Sequence, residues 1–84
     1  MQNEIARRLH WACRRGMLEL DILLGNFLQT GYPHLSPRDQ SLFEAYLSCS
    51  DSELYAFLLG QKIPDNQEFA RMTAMIRAYA PSRI

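Results

Sequence analysis

Gly16 stands between two runs of helical periodicity, and the chain has to turn there. Before it, Arg14 and Arg15 close an arginine-rich segment. After it, Leu20, Leu23, Leu24, Phe27 and Leu28 recur at helical spacing, which predicts a second helix starting almost at once. A glycine just past the last turn of a helix takes the left-handed conformation without a Cβ penalty. Arginines in that last turn meet the exposed carbonyls favourably. Glu19 falls in the first turn of the next helix, where a carboxylate satisfies free N–H groups. The expected result is a tight corner carrying two arginines, a bare glycine backbone and two acids, Glu19 and Asp21.

The rest of the chain is punctuated in the same way. A first helix is expected over 4–15 with Asn3 as N-cap, and Ile5, Leu9 and Ala12 line one side of it with Cys13 at the border. The second should extend over 17–30, weakened by Gly25, which leaves room for a close helix contact, and ended by Gly31 and Pro33. A short loop, Tyr32 to Leu35, carries His34 on the surface. Ser36-Pro37-Arg38-Asp39 opens a third helix, with Leu42, Phe43, Tyr46 and Leu47 on its apolar face. Ser50 and Glu53 form a capping box that opens a fourth; Leu54, Phe57 and Leu58 point inward and Gly60 lies past its end. A fifth starts at Asp65 with Glu68 three residues on; Phe69, Met72, Ile76 and Tyr79 follow before Pro81 stops it. No stretch alternates as a strand would. The reading is all-α: one compact domain, a bundle of about five helices joined by short loops.

With 84 residues the chain can bury roughly 60–65% of its unfolded surface, enough for one modest core. Nine basic and nine acidic residues cancel, so there is no general attraction to nucleic acid or anionic membrane. Lys62 is the only lysine, and the arginine bias favours planar contacts at protein interfaces. Cys13 and Cys49 have neither C-x-x-C spacing nor matched histidines, which argues against a zinc site and for reduced, structural thiols. No apolar run approaches the ~18 residues of a membrane span, and the N-terminus has no secretory pattern. A cytoplasmic protein, monomeric when free and without direct membrane insertion, is the expectation.

Trp11 falls opposite the apolar stripe of the first helix, with Arg7, Arg8, Arg14 and Arg15 as its helical neighbours. An indole among guanidiniums is a cation–π cluster in prospect, and Trp and Arg are the commonest hot-spot residues. The same tryptophan could instead pack beneath a neighbouring helix. An enzyme would have to be built on His10, Glu19, Asp21 and Arg15. Glu19 and Asp21 point about 200° apart on a helix and cannot share a proton, and no nucleophile stands at hydrogen-bond spacing from His10. The residues therefore argue against catalysis. A small arginine-rich nucleic-acid-binding domain, or another protein-interaction module, is the alternative. Zero net charge, and Glu19 and Asp21 beside the patch, stand against nucleic acid.

The string Arg14-Arg15-Gly16-Met17-Leu18-Glu19-Leu20-Asp21 resembles the signature of the small SdhE-type assembly factors of succinate dehydrogenase. Arg15, Gly16 and Glu19 match that family's Arg-Gly-x-x-Glu motif. Arg7-Arg8-Leu9-His10-Trp11 and Asp21 also look like its pattern, and the resemblance covers nearly the whole chain. It implies a protein that binds the flavoprotein subunit of succinate dehydrogenase, and in some organisms that of fumarate reductase. There it promotes the covalent bond between FAD and a histidine of that subunit. The implied docking surface is Arg7, Arg8, Trp11, Arg14, Arg15, Gly16, Glu19 and Asp21, with no catalytic or metal-binding residue and no stably bound cofactor. The segment Asp51 to Tyr55, with Phe57 and Leu58, matches more loosely and reads as scaffold.

Overall fold

Leu24, Phe27, Phe43, Tyr46, Leu54, Met72 and Ile76 are all sealed from solvent and form one continuous core, joined from the first helix by the buried Leu9. The structure is a computed structural model that describes residues 2–79. Its elements are α1 (Gln2–Ala12), α2 (Leu18–Thr30), a single 3-10 turn (Tyr32–His34), α3 (Pro37–Tyr46), α4 (Asp51–Leu58) and α5 (Gln67–Ala78). Among the described residues there is no strand. The second helix runs through the middle: α1, α4 and α5 all pack on it, and α5 also packs on α3 and α4.

Local chemistry sets most boundaries where the sequence places them. Ser36 Oγ accepts the Asp39 N–H at 3.2 Å, with Pro37 at the first helical position. At α4 both halves of the capping box form: Glu53 N–H donates to Ser50 Oγ, and Ser50 N–H donates to Glu53 Oε1, each at 3.1 Å. Gly60, at φ +79°, ends α4 with the paired bonds Gly60 N–H to Phe57 O and Gln61 N–H to Ala56 O. The fifth helix starts one residue later than expected. Asn66, not Asp65, is its cap, accepting from the N–H groups of Glu68 and Phe69 at 2.8 and 3.1 Å.

Gly31 ends α2 as expected, but the close contact expected at Gly25 is found at Gly31 instead. Beside Gly25 an added Cβ would meet open space, so it makes no close helix contact. Gly31 does: a Cβ there would run into the Phe27 ring, so the chain can leave α2 only along a bare backbone. The loop that follows coils into the 3-10 turn. Among the described residues the buried side-chain polar atoms are paired, with Tyr46 Oη and Thr73 Oγ1 2.7 Å apart in the core. On the outside, Arg71 bridges Asp39 of α3 and Glu68 of its own helix at 2.8 and 2.7 Å. That guanidinium holds both carboxyls below the usual carboxylate range. Pro81 and the side chain of Ile5 lie outside the described residues.

Candidate functional site

The first helix departs most from expectation, and its end shapes the site. It begins at Gln2, so Asn3 lies inside it, and it stops at Ala12, three residues short of Arg15. The last regular bond is Cys13 N–H to Leu9 O at 3.0 Å; Arg14 N–H then tightens onto Trp11 O at 3.1 Å. Arg15 N–H leaves the helix altogether and donates to Asp21 Oδ1 at 2.6 Å. A charge-assisted bond of this kind is roughly twice as strong as a neutral one, so it competes well with one more helical turn. Gly16 keeps the positive φ expected of it, +83°, but as the turning residue of an irregular connection and not as a helix cap. Met17 is extended, and Asp21 N–H to Met17 O at 2.8 Å begins α2.

Arg15 was expected to face outward, yet its side chain is only 19% exposed. Nε donates to Asp51 Oδ1 at 2.7 Å, Nη1 to Ala12 O at 3.0 Å and Leu47 O at 3.2 Å, and Nη2 to Cys49 O at 3.0 Å. The side chain thereby caps the end of α1 and ties it to the connection between α3 and α4. Asp21 is half-buried as the acceptor that closes the turn. Both residues act on the shape of the corner from within.

What the corner presents to solvent is a different set. Trp11 is 65% exposed, so the alternative of a tryptophan packed under a helix does not hold. Arg7, Arg14, Gly16 and Glu19 are exposed as well. The expected ring of four guanidiniums around the indole does not assemble: Arg15 turns inward, and Arg8 pairs with Glu44 at 3.1 Å. The aromatic neighbour of Trp11 is His10, edge-on with ring centroids 5.7 Å apart.

Sequence reasoning missed Leu18 and Ile22, which are 73% and 41% exposed. At i and i+4 they share one strip of α2, about 180° from Leu20. An apolar residue on the wrong side of a helical wheel was the available signal. Beside that strip runs a shallow groove of about 190 Å³ between the end of α1 and α2, lined among others by His10, Arg14, Ile22 and Gln29. Cys13 lies beneath it, with burial pushing its thiol up to about 12, against the opposing pull of Arg15. A thiol so held is a poor nucleophile. Among the described residues no three His, Cys, Asp or Glu side chains gather as a metal site, and no helix is long and apolar enough to cross a membrane.

A helical bundle that leaves tryptophan, leucine, isoleucine and arginine side chains on one helix pair belongs to the class of small helical binding modules. Its sequence narrows the class. Residues 7–80 match the family described as the flavinator of succinate dehydrogenase, and the chain belongs to that family. It is similar to the FAD assembly factor SdhE of Shewanella oneidensis, 45% identical over 73 residues, which span 87% of this chain and 89% of that one. The FAD assembly factor SdhE of Colwellia psychrerythraea is 45% identical over 69 residues, 82% of this chain and 76% of its own. That of Pseudomonas aeruginosa is 41% identical over 70 residues, 83% of each.

Proposed function

We propose that this chain docks on the flavoprotein subunit of succinate dehydrogenase and promotes covalent attachment of FAD to it. The observation that carries the reading is the family match over residues 7–80, which takes in the whole exposed corner. Trp11, Leu18 and Ile22 supply apolar contact area, Arg7 and Arg14 supply charge, and Glu19 supplies an acceptor. Gly16, with open space beyond it, lets the partner's backbone come close. Arg8 joins this face at its edge through its pair with Glu44. Arg15 and Asp21 contribute by fixing the turn on which the others are mounted.

The division of labour follows from the same residues. Flavin chemistry belongs to the cofactor and its attachment site to the partner. Correct alignment of two reacting groups can by itself supply a large part of a barrier, and a rigid helical face is suited to impose it. On this reading the chain acts without catalytic groups, holds no flavin stably and is a cytoplasmic monomer when free. The related flavoprotein of fumarate reductase is a second substrate of the same kind.

The test is reconstitution: apo-flavoprotein and FAD with and without the chain, scored by flavin that stays on the partner after denaturation. The chain should raise that yield, most strongly for succinate dehydrogenase. Glu19→Gln should lower it, with partial recovery at higher concentration of the variant. No gain in attached flavin from the wild-type chain defeats the reading, and covalent flavin on the chain itself reverses the assignment of roles.

A further inference from the structure

The Arg15 guanidinium joins two parts of the chain that are distant in sequence. Its acceptors at Leu47 and Cys49 belong to the connection between α3 and α4, Asp51 is the first residue of α4, and Ala12 O closes α1. Three of the four are main-chain carbonyls. Asp51 is the only ionised one, and its bond to Nε is the shortest of the set at 2.7 Å. Because the guanidinium is planar, a bond that fixes Nε also sets the plane in which both Nη atoms lie. The carboxylate thus aims the terminal nitrogens at their carbonyls.

We propose that Asp51 is a positioning residue for the docking face. By orienting Arg15 from the first position of α4, it holds the connection 13–17 in the one shape that presents Trp11, Gly16 and Glu19. This rests on the docking function proposed above and adds to it a residue on the far side of the bundle corner. A connection released from Asp51 would be competent for only part of the time, and apparent affinity falls in proportion to that fraction.

Three variants of the full chain separate this role from plain stability: Asp51→Asn, Asp51→Glu and Ser50→Ala. The last breaks the capping box at the same end of α4 without touching Arg15. Hydrogen exchange at the Arg15 amide, which is bonded to Asp21, reads the shape of the connection with no partner present. The expected result is faster exchange at Arg15 in Asp51→Asn and a Kd for the apo-flavoprotein raised about tenfold, as when one molecule in ten is competent. Asp51→Glu should restore much of both. Ser50→Ala should lower Tm while leaving Arg15 exchange and Kd near wild type. Unchanged exchange in Asp51→Asn overturns the proposal, as do Kd changes in all three variants that simply track Tm. A wild-type chain that fails to bind the flavoprotein defeats the docking reading itself, which is distinct from intact wild-type binding that Asp51→Asn leaves unaltered.

Discussion

The main-chain N–H of Arg15 donates to the carboxylate of Asp21 at 2.6 Å, closing the connection between α1 and α2 on itself. Asp21 stands in the first turn of α2, so one side chain both meets the positive end of that helix and ends the one before. Removing it leaves a partly buried N–H without its charged acceptor. Asp21→Ala should therefore cost about 1.5–3 kcal/mol, the range for hydrogen bonds to charged groups. Asp21→Asn, which keeps an acceptor oxygen, should lose less. Denaturant midpoints at unchanged slope would show it, and a loss well below about 1.5 kcal/mol in Asp21→Ala would mean that the bond itself matters little.

Gly16 separates folding from docking. Its φ of +83° is strained for any L side chain, while an ideal Cβ there has nothing within 4 Å. Gly16→Ala should consequently lose about 1–2 kcal/mol from backbone strain alone. Gly16→Arg should lose no more than that, because the longer side chain extends into solvent. The two variants should keep the helical circular dichroism of the parent. Only the arginine should abolish flavoprotein binding, by occupying the space the partner's backbone needs. Loss of binding in step with loss of helix would reduce Gly16 to a structural role.

The elements legible in the sequence are those whose signals are local. Ser36, the Ser50–Glu53 box and Gly60 each act within a few residues, and each does what its neighbours demand. The course of Arg15 was not legible, since its acceptors at Leu47, Cys49 and Asp51 lie 32 to 36 residues away and only the folded bundle brings them near. The early end of α1 has a different cause, closer in sequence: a helical pattern continues through Arg15, but the carboxylate of Asp21, six residues on, draws the amide off. The core was readable from periodicity, and so in principle were Leu18 and Ile22, opposite Leu20 on α2. The residues of the motif were found; their split into an outward set and an inward set was not.

Alkaline pH should destabilise the fold through two buried groups. Burial pushes the Cys13 thiol from 9.0 to about 12 and the Tyr46 hydroxyl from 10.0 to about 12, the latter partly offset by its bond to Thr73. Both stay protonated in the fold and ionise earlier once unfolded. Their contribution is thus complete below pH 9.0 and is lost progressively as pH rises toward 12. Urea midpoints should be flat from pH 7 to 8.5 and fall beyond, with Cys13→Ala removing the first part of the fall. At pH 8 an alkylating reagent should modify Cys49 first and reach Cys13 only on unfolding. Ready labelling of Cys13 in the native chain would contradict its burial.

Trp11 supplies the sharpest contrast between the two kinds of energy a large aromatic can contribute. A core tryptophan replaced by alanine costs about 3–5 kcal/mol of folding stability, whereas an interface hot spot costs about 2 kcal/mol or more of binding. At 65% exposure, with His10 as its ring neighbour, Trp11 belongs on the second side. Trp11→Ala should shift Tm little and weaken flavoprotein binding at least about thirtyfold, the equivalent of 2 kcal/mol. As the chain has one tryptophan, its emission reports on this position alone. Emission from the free chain should be red-shifted and open to iodide quenching, then move to the blue and become protected when the flavoprotein is added. Protected, blue emission before any partner is present would place the indole in a packed environment and remove it from the docking face.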